Sequence, residues 1–137
     1  MAAIADTGFL FALANTQDEH HRKVINVVRR LSEPVILPLT VLPEICYLLD
    51  TRLGHASMRQ FVANVLTGAM ELTSLNKADI ARALKILQQY GDTRIDFVDA
   101  TIIALAERLQ ITRILTVDQR HFRIVRPLHC SAFELLP

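Results

Sequence analysis

The stretch from Asp96 to Phe122, DFVDATIIALAERLQITRILTVDQRHF, does most to limit what this chain can fold into. From Phe97 to Leu109 it is apolar almost all round, apart from Asp99 near its start and Glu107 and Arg108 near its end. A helix of that kind lies deep in a domain rather than on its surface. Asp99 interrupts the apolar surface. Its i+3 and i+4 neighbours are Ile102 and Ile103, so its carboxylate shares a face with residues that must be buried, unless it sits at the tip of the helix. After a short polar break, Arg113 to Val117 reads as a brief buried strand that stops at Asp118. One helix-to-strand unit therefore carries a helix-borne acid and a strand-end acid.

The rest of the chain repeats that alternation. Ala2 to Ala5 reads as a short strand ending at Asp6, followed by Thr7, Gly8 and an apolar helix over Phe9 to Ala14. A second helix spans Asp18 to Leu31, with Val24, Val27, Val28 and Leu31 as its buried stripe and His20, Arg22, Lys23, Arg29 and Arg30 on one side. Glu33 and Pro34 break it, Val35 to Leu37 forms a second strand, and Thr40 is expected to cap a helix that tolerates Pro43 in its first turn. Glu44 is the only charge between Val35 and Leu49. Gly54 ends that helix. A further helix, Ser57 to Leu66, presents Met58, Phe61, Val62, Val65 and Leu66, and Gly68 ends it. Met70 to Leu75 is a third strand. Asn76 caps a helix from Lys77 to about Tyr90, with Ile80, Ala83, Leu84 and Leu87 inward, and Gly91 to Arg94 is a turn. Ile124 and Val125 make a last strand before an apolar tail, Phe133 to Pro137, that is expected to be tied down. Short buried strands alternating with helices indicate an α/β sandwich with a mainly parallel sheet.

At 137 residues, one domain over residues 1–137 is the natural reading, large enough to bury about two-thirds of the surface its unfolded chain exposes. A composition 51% hydrophobic and 21% charged belongs to folded rather than disordered chains. A formal net charge of +1 excludes a strongly basic nucleic-acid wrapper but allows a local basic surface. Cys46 and Cys130 are too few and too far apart for a disulfide framework or a zinc site, and Cys46 among Ile45, Tyr47 and Leu48 reads as a small buried hydrophobe. No basic leader precedes the first apolar residues and no apolar run approaches a bilayer's thickness, so a cytoplasmic location and no membrane partner are expected.

Asp6 and Asp118 end two strands. In open α/β sheets, ligands gather outside the carboxyl ends of the strands where strand order reverses, so both acids would face one crevice. Glu44 and Asp99, each near a helix start, reach it from the flanks. Four convergent carboxylates bind hard divalent cations through oxygen, and Mg²⁺ or Mn²⁺ held that way keeps positions open for a substrate phosphate. The chemistry such a site supports is phosphodiester hydrolysis. Each acid also has a structural reading: Asp6 and Asp118 as turn residues, and Asp99 as the third residue after an Asp96 cap. Glu44 is the hardest to explain so, since burying it unpaired in that apolar run would be costly. Asp96 is a helix cap or a support for the site. Thr7 and Thr116 are strand-end residues or hydroxyls that orient water.

These residues resemble the PIN-domain family, of the VapC-like toxin type, through IADTGFLFAL, LTVLPEICYLL, FVDATIIALAERL and ILTVDQRHF, in order and at family-like spacing over nearly the whole chain. The resemblance implies a three-layer α/β/α sandwich with a parallel sheet of about five strands, Mg²⁺- or Mn²⁺-dependent endoribonuclease activity on RNA and homodimerisation. Carried over by position, the catalytic and metal-binding quartet is Asp6, Glu44, Asp99 and Asp118, with Thr7 and Thr116 as helpers and Asp96 in support. Pro43 directly before Glu44 departs from the pattern. A toxin of this kind would be held inactive by an antitoxin. Arg94, Arg120, His121 and Arg123, near the expected rim, are the candidate RNA contacts.

Two other carboxylate-based functions fail on the residues. A phospho-receiver needs an acid pair after the first strand and a late lysine, whereas Asp6 has no acidic neighbour and Lys85 is the last lysine. A haloacid-dehalogenase phosphatase needs a second Asp two residues after the first, where Asp6-Thr7-Gly8 has glycine. A non-catalytic module gripping RNA or protein and a housekeeping nuclease without an antitoxin stand as the alternatives.

Overall fold

The computed structural model describes residues 1–137. Five strands form one sheet in the order β3-β2-β1-β4-β5, and every pairing is parallel. They are β1 (Ala3–Ala5), β2 (Val35–Pro38), β3 (Glu71–Thr73), β4 (Arg113–Leu115) and β5 (Glu134–Leu136). Seven α-helices flank them: α1 (Thr7–Ala14), α2 (His21–Arg30), α3 (Val41–Leu53), α4 (His55–Leu66), α5 (Lys77–Gln89), α6 (Phe97–Leu109) and α7 (Arg120–Ile124). Parallel strands need crossovers, and right-handed ones put the helices on opposite faces according to the direction in which the chain steps across the sheet. Accordingly α1, α2, α3 and α4 pack among themselves, as do α5, α6 and α7. No helix is long and apolar enough to cross a membrane.

The core explains the elements. β1 is buried at all three residues, as the middle strand of a sheet covered on both faces must be. α6 has the bounds expected of it, and every residue from Ala100 to Glu107 is buried. Asn76 caps α5 in a complete capping box: its side chain accepts from Asp79 N at 2.9 Å, and Asp79 accepts from Asn76 N at 3.0 Å. The charges that close the α5–α6 face are paired across it. Arg82 grips Glu107 with two bonds, 2.7 and 3.0 Å, and Arg108 Nε donates to Asp79 at 2.9 and 3.1 Å. Glu107 also accepts from Leu128 N at 2.9 Å.

Several expectations are corrected. Ile124 and Val125 are not a strand: Ile124 ends α7 and Val125 N bonds His121 O, while the fifth strand is the segment read as an anchored tail. β-branched residues favour strands, but a pair of them is too short a signal to outweigh helical hydrogen bonding. The edge strand β5 is held by Thr116 N on Leu136 O (2.7 Å) and by Arg113 bonded to Glu134. β4 stops at Leu115, so Asp118 lies in the loop beyond it rather than at the strand end. β3 is Glu71–Thr73, shorter than Met70 to Leu75. Thr40 takes helical dihedrals and makes no capping bond; its hydroxyl pairs instead with Thr101 at 2.9 Å. On α4 only Phe61 is buried, and Leu66 is 83% exposed. On α5 the inward residues are Ala83 and Ile86, with Ile80 and Leu84 exposed. On α2 only Val24 is buried.

Gly54 joins α3 to α4 at φ 104°, ψ 160°, a backbone region open essentially to glycine alone. A Cβ there would meet nothing within 4 Å, so the cost of Gly54→Ala is purely conformational. The substitution is expected to lower stability by about 1–3 kcal/mol, read as a lower urea midpoint with an unchanged slope.

Candidate active site

Strand order reverses between β1 and β4, and the acids collect at the carboxyl ends of that pair. Asp6 follows β1 directly, and its N–H bonds Leu115 O of β4 at 3.0 Å. It is the N-cap of α1, its carboxylate accepting from Phe9 N at 2.9 Å, and it is buried. Thr7 is the first residue of α1 and also buried. Its hydroxyl donates to Glu44 Oε1 in a short bond that ties α1 to the first turn of α3. Gly8 follows, and a Cβ on it would stand 3.3 Å from Val117 Cγ2 and 3.8 Å from the Asp6 carboxylate, which makes this corner close-packed.

The second half of the rim comes from α6 and the loop after β4. Asp96 caps α6, accepting from Asp99 N at 2.8 Å, so its structural reading is realised. Asp99 does not return the bond that a capping box requires; its carboxylate accepts from His121 Nδ1 at 3.0 Å. Asp118 is exposed and held by its near neighbour Arg120, whose Nε and Nη2 donate at 3.0 and 2.8 Å. Thr116, fully buried, has a hydroxyl whose one proton is shared between the carbonyl of Asp118, at 3.0 Å, and the Asp6 carboxylate, so it shapes the loop and steadies the acid. Glu44 is exposed, so the cost of burying it unpaired, which counted against a structural role, does not arise. On α3 the buried stripe is Val41, Ile45 and Leu49, and at 100° per residue Glu44 lies off that stripe, toward the rim.

The two inner carboxylates carry unusual proton affinity. Burial raises Asp6 to a pKa of about 7; the Thr116 hydroxyl and the Phe9 amide oppose the rise, and the charges of Asp99 and Asp118 add to it. Burial likewise raises Asp99 to about 6, opposed by the His121 bond and reinforced by Asp96 and Glu44. Asp118 goes the other way: the Arg120 bond holds it below the usual carboxylate range. Asp6 has no Lys, Arg or His partner.

No three His, Cys, Asp or Glu side chains gather closely enough, as they stand, to hold a metal ion. Three of the four acids are turned to partners of their own, Asp99 to His121, Asp118 to Arg120 and Glu44 to Thr7. The donor set is nonetheless all carboxylate, and Asp6 is buried among like charges without a counterion. Oxygen donors under mutual repulsion fit a hard divalent cation.

Of the proposed RNA contacts, Arg120 and His121 face acids of the rim itself. Arg123 donates to Gln119 Oε1 at 2.7 Å, and Arg94 is exposed, in a left-handed turn two residues before Asp96. Sequence reasoning passed over Gln119, whose side-chain amide donates to Thr116 O (3.3 Å) and Pro137 O (3.1 Å), fastening the Asp118 loop to the end of β5. A single glutamine in a polar loop carries no signal for such a role. Cys46 and Cys130 are free thiols whose pKa burial raises, which lowers the share of thiolate at each.

With strand order, reversal point and acids in place, the class follows: the chain belongs to the PIN-domain family, matching the PIN domain over residues 3–127. It is similar to Ribonuclease VapC26 of Mycobacterium tuberculosis, 31% identical over 134 residues that span 98% of this chain and 99% of the relative. In fold it resembles the crystal structure of Mycobacterium tuberculosis VapC20, a sarcin–ricin loop cleaving toxin, with a TM-score of 0.81 at 24% identity over 87% of this chain and 92% of that one. It also resembles VapBC2 from Rickettsia felis bound to a promoter DNA fragment, with a TM-score of 0.74 at 12% identity over the full length of both chains.

Proposed function

We propose that this protein is an endoribonuclease of the PIN class, cleaving RNA phosphodiester bonds with Mg²⁺ or Mn²⁺, and that it is the toxin of a toxin–antitoxin pair. The observation that carries the reading is Asp6: a carboxylate buried at the central strand end, without a basic partner, pushed to a pKa of about 7 and within electrostatic reach of Asp99 and Asp118. Capping α1 would be served as well by Asn or Ser without burying a charge that has no basic partner, whereas a cation site needs the carboxylate. Asp6, Asp99, Asp118 and Glu44 would hold the ion, which when bound supplies a water of lowered pKa and neutralises charge on the leaving oxygen. Thr7 and Thr116 position Glu44 and the Asp118 loop, and Asp96 fixes the start of α6 beneath Asp99. Arg120 and His121 stand beside the acids, where a phosphate would lie.

The similarity to Ribonuclease VapC26 along nearly the whole of both chains supports RNA as the substrate, and the likeness to toxins crystallised alone or with antitoxins supports the toxin assignment. One domain, a cytoplasmic setting and a homodimer complete the proposal; exposed Leu39 and Tyr47, on either side of Glu44 in the chain, supply apolar surface for a second copy. Cleavage of RNA is expected with Mg²⁺ or Mn²⁺ and is expected to vanish with a chelator, because no side chain here replaces the activated water. Undiminished cleavage in EDTA would overturn the metal assignment. The toxin assignment is checked separately, by growth arrest on expression and its relief by a co-expressed antitoxin.

A further inference from the structure

We infer that the outer face of α2, with the groove beside it, is a second RNA-contacting surface that leads phosphates toward the acidic rim; this rests on the ribonuclease reading. α2 reads HRKVINVVRR and contains no acid. Arg22, Lys23, Arg29 and Arg30 are all exposed, and none takes part in an ion pair. At 100° per residue the four fall within one sector around Asn26, opposite the buried Val24, as two rows whose members are two turns, about 10 Å, apart.

Helix electrostatics account for only half of this pattern. Arg29 and Arg30 sit in the last turn, where the dipole favours cations, but Arg22 and Lys23 open the helix at its positive end, where cations are disfavoured and the only nearby acids are Asp18 and Glu19, just before the helix. Asp18 bonds the amide of His20 and Glu19 pairs with the His20 ring, so neither is bonded to Arg22 or Lys23, whose charges are left for an anion outside the fold. A groove of about 410 Å³ adjoins the face, lined by Lys23, Asn26, Arg30, Arg113, Leu136 and Pro137. Arg113 is outnumbered by its two partners, Glu33 and Glu134, so the groove's free positive charge comes from Lys23 and Arg30 alone. At Pro137 the groove meets Gln119, the residue that fastens the Asp118 loop, which makes basic face and rim continuous. A polyanion running between them favours RNA over an acidic protein segment.

The test is binding of a single-stranded RNA of about 20 nucleotides, measured by fluorescence anisotropy in EDTA over a range of salt. Each lost phosphate contact lowers the salt slope by about 0.7, so the variant Arg22→Gln, Lys23→Gln, Arg29→Gln, Arg30→Gln is expected to lose about 2–3 in slope and to bind at least tenfold more weakly near physiological salt. Its cleavage of a dinucleotide, too short to reach α2, is expected to stay as wild type, and Lys23→Arg is expected to bind RNA as wild type does. An unchanged slope, or no RNA binding by the wild type, overturns the inference and leaves the face to an acidic protein segment. Wild-type cleavage with an unchanged variant slope sinks this surface and spares the ribonuclease reading. A lost slope in a protein that cleaves no RNA with either metal does the reverse.

Discussion

Asp6→Asn is expected to abolish RNA cleavage and, at the same time, to make the metal-free protein more stable at pH 8. The sign follows from where the proton sits. In the unfolded chain Asp6 ionises near 3.8, and in the folded protein at about 7, so between those values the folded state alone keeps the proton. Stability therefore falls as pH rises from about 4 to about 7 and is flat for this group on either side. Asn keeps the size of the carboxylate and still accepts from Phe9 N, but it never charges. Wild type and variant should melt alike near pH 4. Above pH 7 the variant should lead by about 2–4 kcal/mol, or roughly 10 °C in Tm for a chain of this size. Partners one layer outside a metal cost about 10–100-fold when removed, so loss of a direct ligand should cost at least the upper figure in rate. The stabilisation that Mg²⁺ or Mn²⁺ confers on the wild type should shrink as well. Melts at pH 4 and pH 8, with chelator and with metal, decide the matter: a variant less stable than wild type at pH 8 in EDTA would mean that Asp6 is a cap and nothing more.

Arg82→Met should be among the most damaging single changes away from the rim. Glu107 is buried, and Arg82 is the only cation bonded to it. Removing one partner of a buried pair leaves the other charge desolvated, which costs about 3 kcal/mol or more and lowers Tm by roughly 10 °C in a protein this long. Met covers the same apolar path as the arginine stem, so the loss is electrostatic rather than a matter of packing. The companion Arg82→Met with Glu107→Gln should recover most of it, because glutamine is neutral and can still accept from Leu128 N. Cleavage per folded molecule should be unchanged in both, since this face belongs to α5 and α6 and not to the strand ends. If Arg82→Met melts within a degree or two of wild type, the pair is worth no more than a surface contact.

What could be read from residues alone depended on how many neighbours repeated the message. α6 was legible to the residue because most of its thirteen positions agree on an apolar surface with a cap in front, and the start of α5 because Asn76 stands as a cap before a helical period. β5 was not, because three residues paired on one edge have no period to display, and their burial comes from β4 beside them and Phe133 before them. The apolar faces of α4 and α5 were overdrawn for a related reason: a stripe of Val, Ile and Leu shows which side could be buried, but the width of the neighbouring helix decides how much of it is. At the rim, the reading of Glu44 counted apolar neighbours along the chain when the angle around α3 was the relevant quantity. The bonds from Arg120 to Asp118 and from His121 to Asp99 join residues that were assigned to different tasks, substrate and metal, and only their distance shows that they meet.

The pairing of β1 with β4 also governs when this site can exist. Ile4 lies against Ile114, so the first strand to leave the ribosome waits for one of the last before its second edge is filled. Contacts so distant along the chain carry a large loop-closure cost and form late. A nascent chain that has reached α5 has already made β1, β2 and β3, and with them Asp6 and Glu44, yet it lacks α6 and the loop beyond β4 and so holds only half of its acids. Fragments that end before β4 are then expected to be catalytically silent, however well their first three strands assemble. Chain order therefore makes the full set of acids available only when synthesis is nearly over.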